Sequence, residues 1–146
     1  MKTSSSLLLT LLIIMTSESV EGVKVDPPSP LGAVWNHVSL LMEAVKQKDA
    51  DVIVQLFDTK EVDHVNMDRF IEVFQGKHIH VDTANLQEDG TTVIAEIKIG
   101  ENHPATLTLI KTKSSMTGLR ITGIAAEGNE CSAEQGLLGC AVKIVE

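Results

Sequence analysis

The sequence predicts an α+β fold in which N-terminal helices pack on one face of an antiparallel sheet of four to six strands. Residues 77–127 alternate between apolar and polar side chains, which is typical of strands with one buried face. Short polar loops separate these segments, so consecutive strands are expected to pair antiparallel. Residues 31–74 instead repeat apolar residues at helical spacing. The helices are therefore expected to cover the apolar face of the sheet.

Four strands are predicted, and each places apolar residues at alternate positions. The first spans His78–Leu86, and the Asp89–Gly90 pair that follows it is a hairpin signal. Pro104 suits the first residue of a strand because it has no N–H for the ladder. The outer face keeps an apolar row of Ile94, Ile110 and Ile124. The predicted inner face consists of Ile79, Val81, Val93, Ala95, Ile97, Ile99, Ala105, Leu107, Leu109, Leu119, Ile121, Gly123 and Ala125.

The first two helices are predicted from capping residues and apolar spacing. Ser29 is a good N-cap and Pro30 is tolerated at the first helical position, so helix one starts there and runs to about Gln47. Asp49 or Asp51 caps a second helix, whose apolar side consists of Val52, Ile53, Leu56 and Phe57.

A third helix is predicted from Asn66, a good N-cap, to Gly76, a typical helix-ending residue. Met67, Phe70, Ile71 and Phe74 recur in it at positions i, i+3, i+4 and i+7. The segment Val62–Val65 before it is interpreted as a short strand, and Ala141–Val145 as a further one.

Residues 1–22 have the features of a secretory signal peptide. Lys2 gives a short basic region, Leu7–Met15 is almost wholly apolar, and cleavage is expected after Ser19 or Gly22. The apolar run is too short to cross a bilayer as a helix, although an uncleaved anchor is the alternative. We therefore expect a secreted, extracellular protein.

The remaining chain has the length of one domain. A Pro-rich, extended leader is predicted at residues 23–30, because three of its residues are prolines that exclude a helix interior. The predicted domain covers residues 31–127, and a cysteine-containing tail covers residues 128–146.

Composition argues against several classes of partner. The chain has a net charge of −8 and an isoelectric point near 5.0, which disfavours nucleic acid and, after signal cleavage, a membrane surface. Aromatic residues make up 3% of the chain and there is no tyrosine, so stacking platforms for bases are scarce. No cofactor is expected.

Two cysteines, Cys131 and Cys140, lie in the tail. In an oxidising compartment, a disulfide between them is the simplest interpretation. A catalytic cysteine is disfavoured because no histidine lies nearby in the sequence, and eight intervening residues is a poor spacing for metal binding.

The order of the predicted elements, and the helical run Leu41–Phe57 (LMEAVKQKDADVIVQLF), resemble the nuclear transport factor 2-like superfamily, also called SnoaL-like. The resemblance covers roughly residues 31–127. It implies a cone-like fold, in which a curved antiparallel sheet wraps on the N-terminal helices and leaves a pocket between them. That superfamily contains isomerases, dehydratases and polyketide cyclases as well as non-catalytic binding domains, so fold alone does not settle function.

Enzymes of this superfamily use an Asp, or a His–Asp pair, inside the cone, often with a Tyr. This chain has no Tyr, and its predicted inner strand residues cannot transfer a proton. Asp63 and His64 are the remaining catalytic candidates, with a solvated loop as the alternative. The pocket is expected to be lined by apolar side chains: Trp35, Val38, Leu41, Leu56, Phe70, Phe74, Ile97, Leu107, Leu109 and Ile121.

One metal site is considered. His78 and His80 lie two apart on a predicted strand, with Asp82 on the same face and Glu96 across the sheet. Because that face is the wet one, a hydrophilic surface is the favoured interpretation and no metal is expected. His37 is interpreted as a helix-surface or boundary residue, and Trp35 as part of the core or pocket wall.

Three functional hypotheses follow. The first is a secreted, non-catalytic domain that binds a small apolar ligand or a protein partner. The second is an isomerase or dehydratase that uses Asp63 and His64. The third is a homodimerising interaction module that uses the apolar row on the outer sheet face. The absence of proton-transferring residues on the inner face favours the first.

Overall fold

The computed structural model describes residues 29–146. The predicted signal peptide at residues 1–22, and residues 23–28 of the predicted leader, lie outside the described residues. Within residues 29–146, no helix combines the length and the apolar character that a membrane-spanning segment needs.

The first two helices agree with the capping signals. Helix α1 spans Pro30–Lys46, and the Ser29 hydroxyl accepts a hydrogen bond from the Gly32 N–H at 3.1 Å. Helix α2 spans Ala50–Leu56, and Asp49 accepts from the Val52 N–H at 3.2 Å. The predicted starts of both helices are confirmed, with Asp49 rather than Asp51 as the cap of α2, whereas Phe57 lies just after α2 in an extended conformation.

Helix α3 spans Glu61–Phe74 and starts earlier than predicted. The expected strand at Val62–Val65 and the expected cap at Asn66 are both wrong, because these residues lie inside the helix. The Asp63 carboxylate accepts a hydrogen bond from the Lys60 N–H at 2.8 Å and satisfies this first backbone donor. The helix therefore begins without a Ser, Thr, Asp or Asn at the N-cap.

The sheet has five antiparallel strands paired in sequence order. The first three are β1 (Ile79–Leu86), β2 (Thr92–Ile99) and β3 (His103–Lys111), and they are followed by β4 (Leu119–Ala126) and β5 (Asn129–Ser132). Among residues 29–146, each strand pairs with its neighbours along the chain, as expected for strands joined by short loops. The α+β class and the antiparallel meander of four to six strands are confirmed.

Two β-bulges interrupt the register of the sheet. Between Val81 and Thr83 the bulge leaves Asp82 without an opposite residue, and a second one leaves Thr122 extra on β4. Each bulge bends the strand and reverses the faces of the residues beyond it. The bulges contribute to the curvature of the sheet.

The second bulge corrects the predicted faces of β4. Ile124 lies opposite Leu107 and is only 5% exposed, so it belongs to the inner face. Gly123 and Ala125, predicted to face inward, instead lie opposite Thr108 and Thr106 and are partly exposed. The predicted outer row thus loses Ile124 and keeps Ile94 and Ile110.

The residues after β5 form a helix. A 3₁₀ turn at Ala133–Gln135 leads into helix α4, Leu137–Val145, so the strand expected at Ala141–Val145 is wrong. Its buried residues follow helical rather than alternating spacing, namely Leu137, Leu138, Cys140, Ala141, Val142 and Val145. Helix α4 packs mainly on α3 and also contacts β4 and β5.

The core lies between the helices and the inner face of the sheet. Helix α1 packs chiefly on β1 and α2, and the buried side chains of helices α1–α4 join those of β1–β4 in one cluster. The predicted inner residues of β1, β2 and β3 are all buried. The sheet and helices therefore enclose a single apolar interior.

Candidate functional site

A small void lies at the centre of this interior. Its volume is about 20 Å³, and every residue that lines it is apolar. The lining residues come from α1, the end of α2, α3, four strands and α4, namely Val38, Leu41, Phe57, Phe70, Phe74, Ile79, Ile97, Ile99, Leu107, Ile121, Ile124 and Ala141. The void is thus the point at which all layers of the fold meet.

The predicted pocket residues fall into three groups. Leu56 and Leu109 are fully buried but do not line the void, and Trp35 is 38% exposed on α1. Trp35 follows Val34 directly, so it lies beside the buried stripe of the helix rather than within it. The predicted residues that line the void are Val38, Leu41, Phe70, Phe74, Ile97, Leu107 and Ile121.

The void is far smaller than a typical ligand-binding pocket. Small-molecule sites typically measure about 300–1,000 Å³, and a volume near 20 Å³ holds little more than one water. A water needs polar partners, and no residue of the lining offers a polar side chain, so the void should be dry. A ligand larger than a methyl group must therefore move part of the wall.

Three phenylalanines form the helical side of the void. The rings of Phe57 and Phe70 meet edge to face at 5.7 Å, and those of Phe70 and Phe74 stack at 4.5 Å. Both arrangements are favourable for aromatic pairs. The cluster gives this side of the void a wall of aromatic rings without a polar atom.

Asp63 and His64 do not form a catalytic pair in this structure. Asp63 is fully buried, and its two carboxylate oxygens accept backbone N–H groups from Lys60 at 2.8 Å and Leu138 at 3.0 Å. His64 is exposed on α3, and neither residue lines the void. The Asp63 carboxylate instead connects the first turn of α3 to the first turn of α4.

His37 is the buried polar residue that the sequence analysis placed at a surface or boundary. Its Nε2–H donates to the Leu56 carbonyl at 3.0 Å. In the neutral ring Nδ1 then accepts a hydrogen bond from the Thr117 hydroxyl, with 2.6 Å between Nδ1 and Oγ1. Burial lowers the pKa of His37 to about 4, although the hydrogen bond to Leu56 acts in the opposite direction. The signal was present in the sequence, because His37 lies three residues after Val34 on the buried stripe.

Of the histidines considered for metal binding, His80 lies on the wet side of β1, and His78, also exposed, directly precedes the strand. His80 Nε2 is 3.3 Å from an Asp82 carboxylate oxygen, and both are well exposed. The residue opposite His80 is Lys98, whereas Glu96 lies opposite Thr83. Within residues 29–146, no group of three or more His, Cys, Asp or Glu is arranged to hold a metal ion.

Cys131 of β5 and Cys140 of α4 are joined by a disulfide, with their Cα atoms 6.2 Å apart. Cys131 lies opposite Ile124 in the sheet, so the bond attaches α4 to the strand beside the apolar interior. This pairing agrees with the simplest interpretation of the two cysteines.

Comparison with known proteins gives little further information. No protein-family model matches the chain, and no similar curated protein was found. Among solved structures, the chain is similar to a phospholipid-binding protein from Ralstonia solanacearum in complex with a phospholipid. The TM-score is 0.44 and the sequence identity 10%, over 81% of this chain and 95% of that chain. A TM-score this low does not establish a common fold, so that protein's ligand says nothing about this chain.

Proposed function

We propose that this chain is a secreted, non-catalytic domain that binds a small apolar ligand between its sheet and its helices. The observation that supports this function is the central void, whose walls are wholly apolar. Residues 1–22 read as a signal peptide, and the Cys131–Cys140 disulfide suits an oxidising compartment. Helices packed on a bent antiparallel sheet are also compatible with membership of the nuclear transport factor 2-like superfamily.

The lining of the void restricts the chemistry of the ligand. A polar or charged group placed there would lose its hydrogen bonds to water and find no partner among the lining side chains. We therefore expect an uncharged hydrocarbon or the hydrocarbon part of a larger molecule. Any polar group of the ligand has to remain at the surface.

The two other hypotheses have less support. An acid–base enzyme needs a free carboxylate or imidazole facing its substrate, whereas both oxygens of Asp63 are occupied by backbone donors. A dimer through the outer sheet face would use the predicted apolar row of that face. Ile124 is buried in the interior, so only Ile94 and Ile110 of the row remain there. The non-catalytic ligand binder is accordingly the function that we carry forward.

Native mass spectrometry of the protein secreted by a eukaryotic host tests this proposal. We expect a mature mass that lacks residues 1–19 or 1–22, and a bound apolar mass that is lost on denaturation. Ala141→Leu should remove the bound mass because the added side-chain atoms occupy the void, and Val38→Ile is the milder version of the same change. Lys143→Leu adds a leucine to the exposed side of the same helix and should retain the ligand.

The outcomes are distinct. Loss of the bound mass in Ala141→Leu with retention in Lys143→Leu, both folded by circular dichroism, supports the interior site. Equal retention in both variants would place the ligand elsewhere. A wild-type protein that neither retains nor takes up an apolar molecule would contradict the proposed function.

A further inference from the structure

Helix α4 is a short element in the wall of the void. The other lining residues belong to hydrogen-bonded strands, to the segment ending α2, or to α1 and α3, which have 17 and 14 residues. Helix α4 has nine residues and contributes Ala141 to the lining. Helices of this length are marginal in water by themselves, so α4 depends on its contacts with the rest of the fold.

Three specific ties hold α4 in place. At its start, the Leu138 N–H donates to the buried Asp63 carboxylate at 3.0 Å. At its middle, Cys140 is bonded to Cys131 of β5. At its end, the Glu146 carboxylate pairs with Arg69 of α3, an exposed contact that contributes little.

The connection into α4 is a glycine in a conformation that other residues rarely adopt. Gly136 has φ of 89° and stands between the 3₁₀ turn and the helix, and it offers no side chain to cap the helix. Asp63 takes over that capping role from α3. A helix attached through such a glycine and capped from another element is suited to move as a unit once its ties are loosened.

The disulfide is accessible from outside. It borders an open surface groove of about 410 Å³ that also contacts Asn66, Glu130 and Lys143. Its Cys131 side is partly exposed, whereas Cys140 is buried. A small dithiol in solution can therefore reach the bond that restrains the helix.

We propose that α4 is the gate of the apolar interior, and that the Asp63–Leu138 hydrogen bond and the Cys131–Cys140 disulfide set how often it opens. This inference depends on the proposed function, because it names the route by which an apolar ligand reaches the void. Displacing α4 removes Ala141 from the wall of the void, which Phe70 and Phe74 also line. The ligand enters while α4 is displaced. Because only a small fraction of the protein is open, the apparent affinity is lower than the affinity of the open form by that fraction.

The test is the rate at which 1,6-diphenylhexatriene, an uncharged apolar fluorophore, is taken up in stopped flow. Oxidised wild type is compared with wild type reduced by dithiothreitol, whose two thiols become a cyclic disulfide as both cysteines become thiols. We expect reduction to raise the uptake rate at least about tenfold. Asp63→Asn, with the disulfide intact, should raise the uptake rate several-fold. Asp58→Asn should leave it unchanged, because among residues 29–146 the Asp58 side chain pairs only with exposed Lys60.

Hydrogen exchange separates opening of the gate from unfolding. Amides of residues 137–145 should exchange faster after reduction, while those of β2 should keep their protection. If β2 also loses protection, the reduced protein has unfolded. The uptake rates of Asp63→Asn and Asp58→Asn, both with the disulfide intact, then decide whether α4 is the gate. Equal uptake rates in folded oxidised, reduced and Asp63→Asn proteins would overturn the gate but leave the proposed function standing. No uptake by any of them would overturn both.

Discussion

The Asp63 carboxylate accepts a hydrogen bond from the Leu138 backbone N–H at 3.0 Å, across 75 positions of the sequence. The same carboxylate accepts from the Lys60 N–H, so one buried side chain satisfies donors at the starts of two helices. A carboxyl group with zero exposure is tolerated because each of its oxygens accepts a hydrogen bond from a backbone N–H. Asp63 is accordingly a structural residue of the α3–α4 contact.

Asp63→Asn should lower the free energy of unfolding by about 1–3 kcal/mol, because the neutral amide has one acceptor oxygen for two backbone donors. Urea denaturation monitored by circular dichroism measures the change. Asp49→Asn is the matched control, since Asp49 caps α2 at an exposed position and Asn caps as well as Asp there. Equal losses in the two variants would mean that the buried contact has no special importance.

The buried His37 makes stability depend on pH. Its pKa is about 4 in the folded protein and near 6.5 in the unfolded chain, so only the unfolded chain gains a proton as the pH falls through 6.5. The stability that the folded protein gains from its neutral, buried His37 is complete above pH 6.5 and is lost between pH 6.5 and pH 4. We expect protonation of His37 in the unfolded chain to remove about 2 kcal/mol of stability between pH 7 and pH 4.5.

Comparison of wild type with His37→Gln isolates this effect, because the amide can bond to both Leu56 and Thr117 but does not titrate. The wild type should lose about 2 kcal/mol more than the variant over that pH range in urea titrations. Identical pH profiles would show that His37 is protonated in the folded protein or is not buried.

Alanine substitutions of two isoleucines test which residues of β4 face the core. Ile124→Ala should cost about 2–5 kcal/mol because it removes buried atoms from the core, whereas Ile110→Ala should cost less than about 1 kcal/mol. Thermal or urea unfolding of both variants measures the difference. The reverse order would restore the uninterrupted alternation that the sequence predicts and exclude the bulge at Thr122.

Gly136→Ala should destabilise the protein more than Gly118→Ala. Both glycines have positive φ, 89° and 84°, so both substitutions introduce backbone strain of about 1–2 kcal/mol. A Cβ at Gly136 would also lie 2.8 Å from a methyl of Val62, while none of the described residues comes within 4 Å at Gly118. The difference between the two unfolding free energies therefore measures how tightly the entry to α4 packs on α3, and equal values would argue against that packing.

The sequence predicted the parts of this fold that depend on local pattern. Alternation gave the four main strands, and Ser29 and Asp49 gave the starts of α1 and α2. The early start of α3 was missed because its N-terminal backbone donor is satisfied by Asp63 from within the helix, without the usual residue at the N-cap. The bulge at Thr122 was missed because an extra residue leaves no compositional mark, yet it decides which side Ile124 faces.

The candidate site was predicted only in part, for a related reason. Val38, Leu41 and Phe70 were visible as members of helical stripes, and they do line the void. Ala141 was assigned to a strand, so its place in the wall required the structure. The burial of His37 could be inferred from its place on the α1 stripe. Its partner Thr117 and the Leu138 partner of Asp63 lie 80 and 75 positions away, and no local pattern reveals those contacts.

In the proposed function, an apolar ligand occupies the interior between the sheet and the helices. Methyl NMR of protein labelled at Ile, Leu and Val, titrated with n-hexane, locates such a ligand from the methyl groups that it contacts. We predict saturable shifts for the methyl groups of Ile97, Leu107 and Ile121, with those of Val65 and Leu86 unchanged because both are exposed and lie outside the void. Shifts confined to Val65 and Leu86, or no shifts at all, would contradict the account.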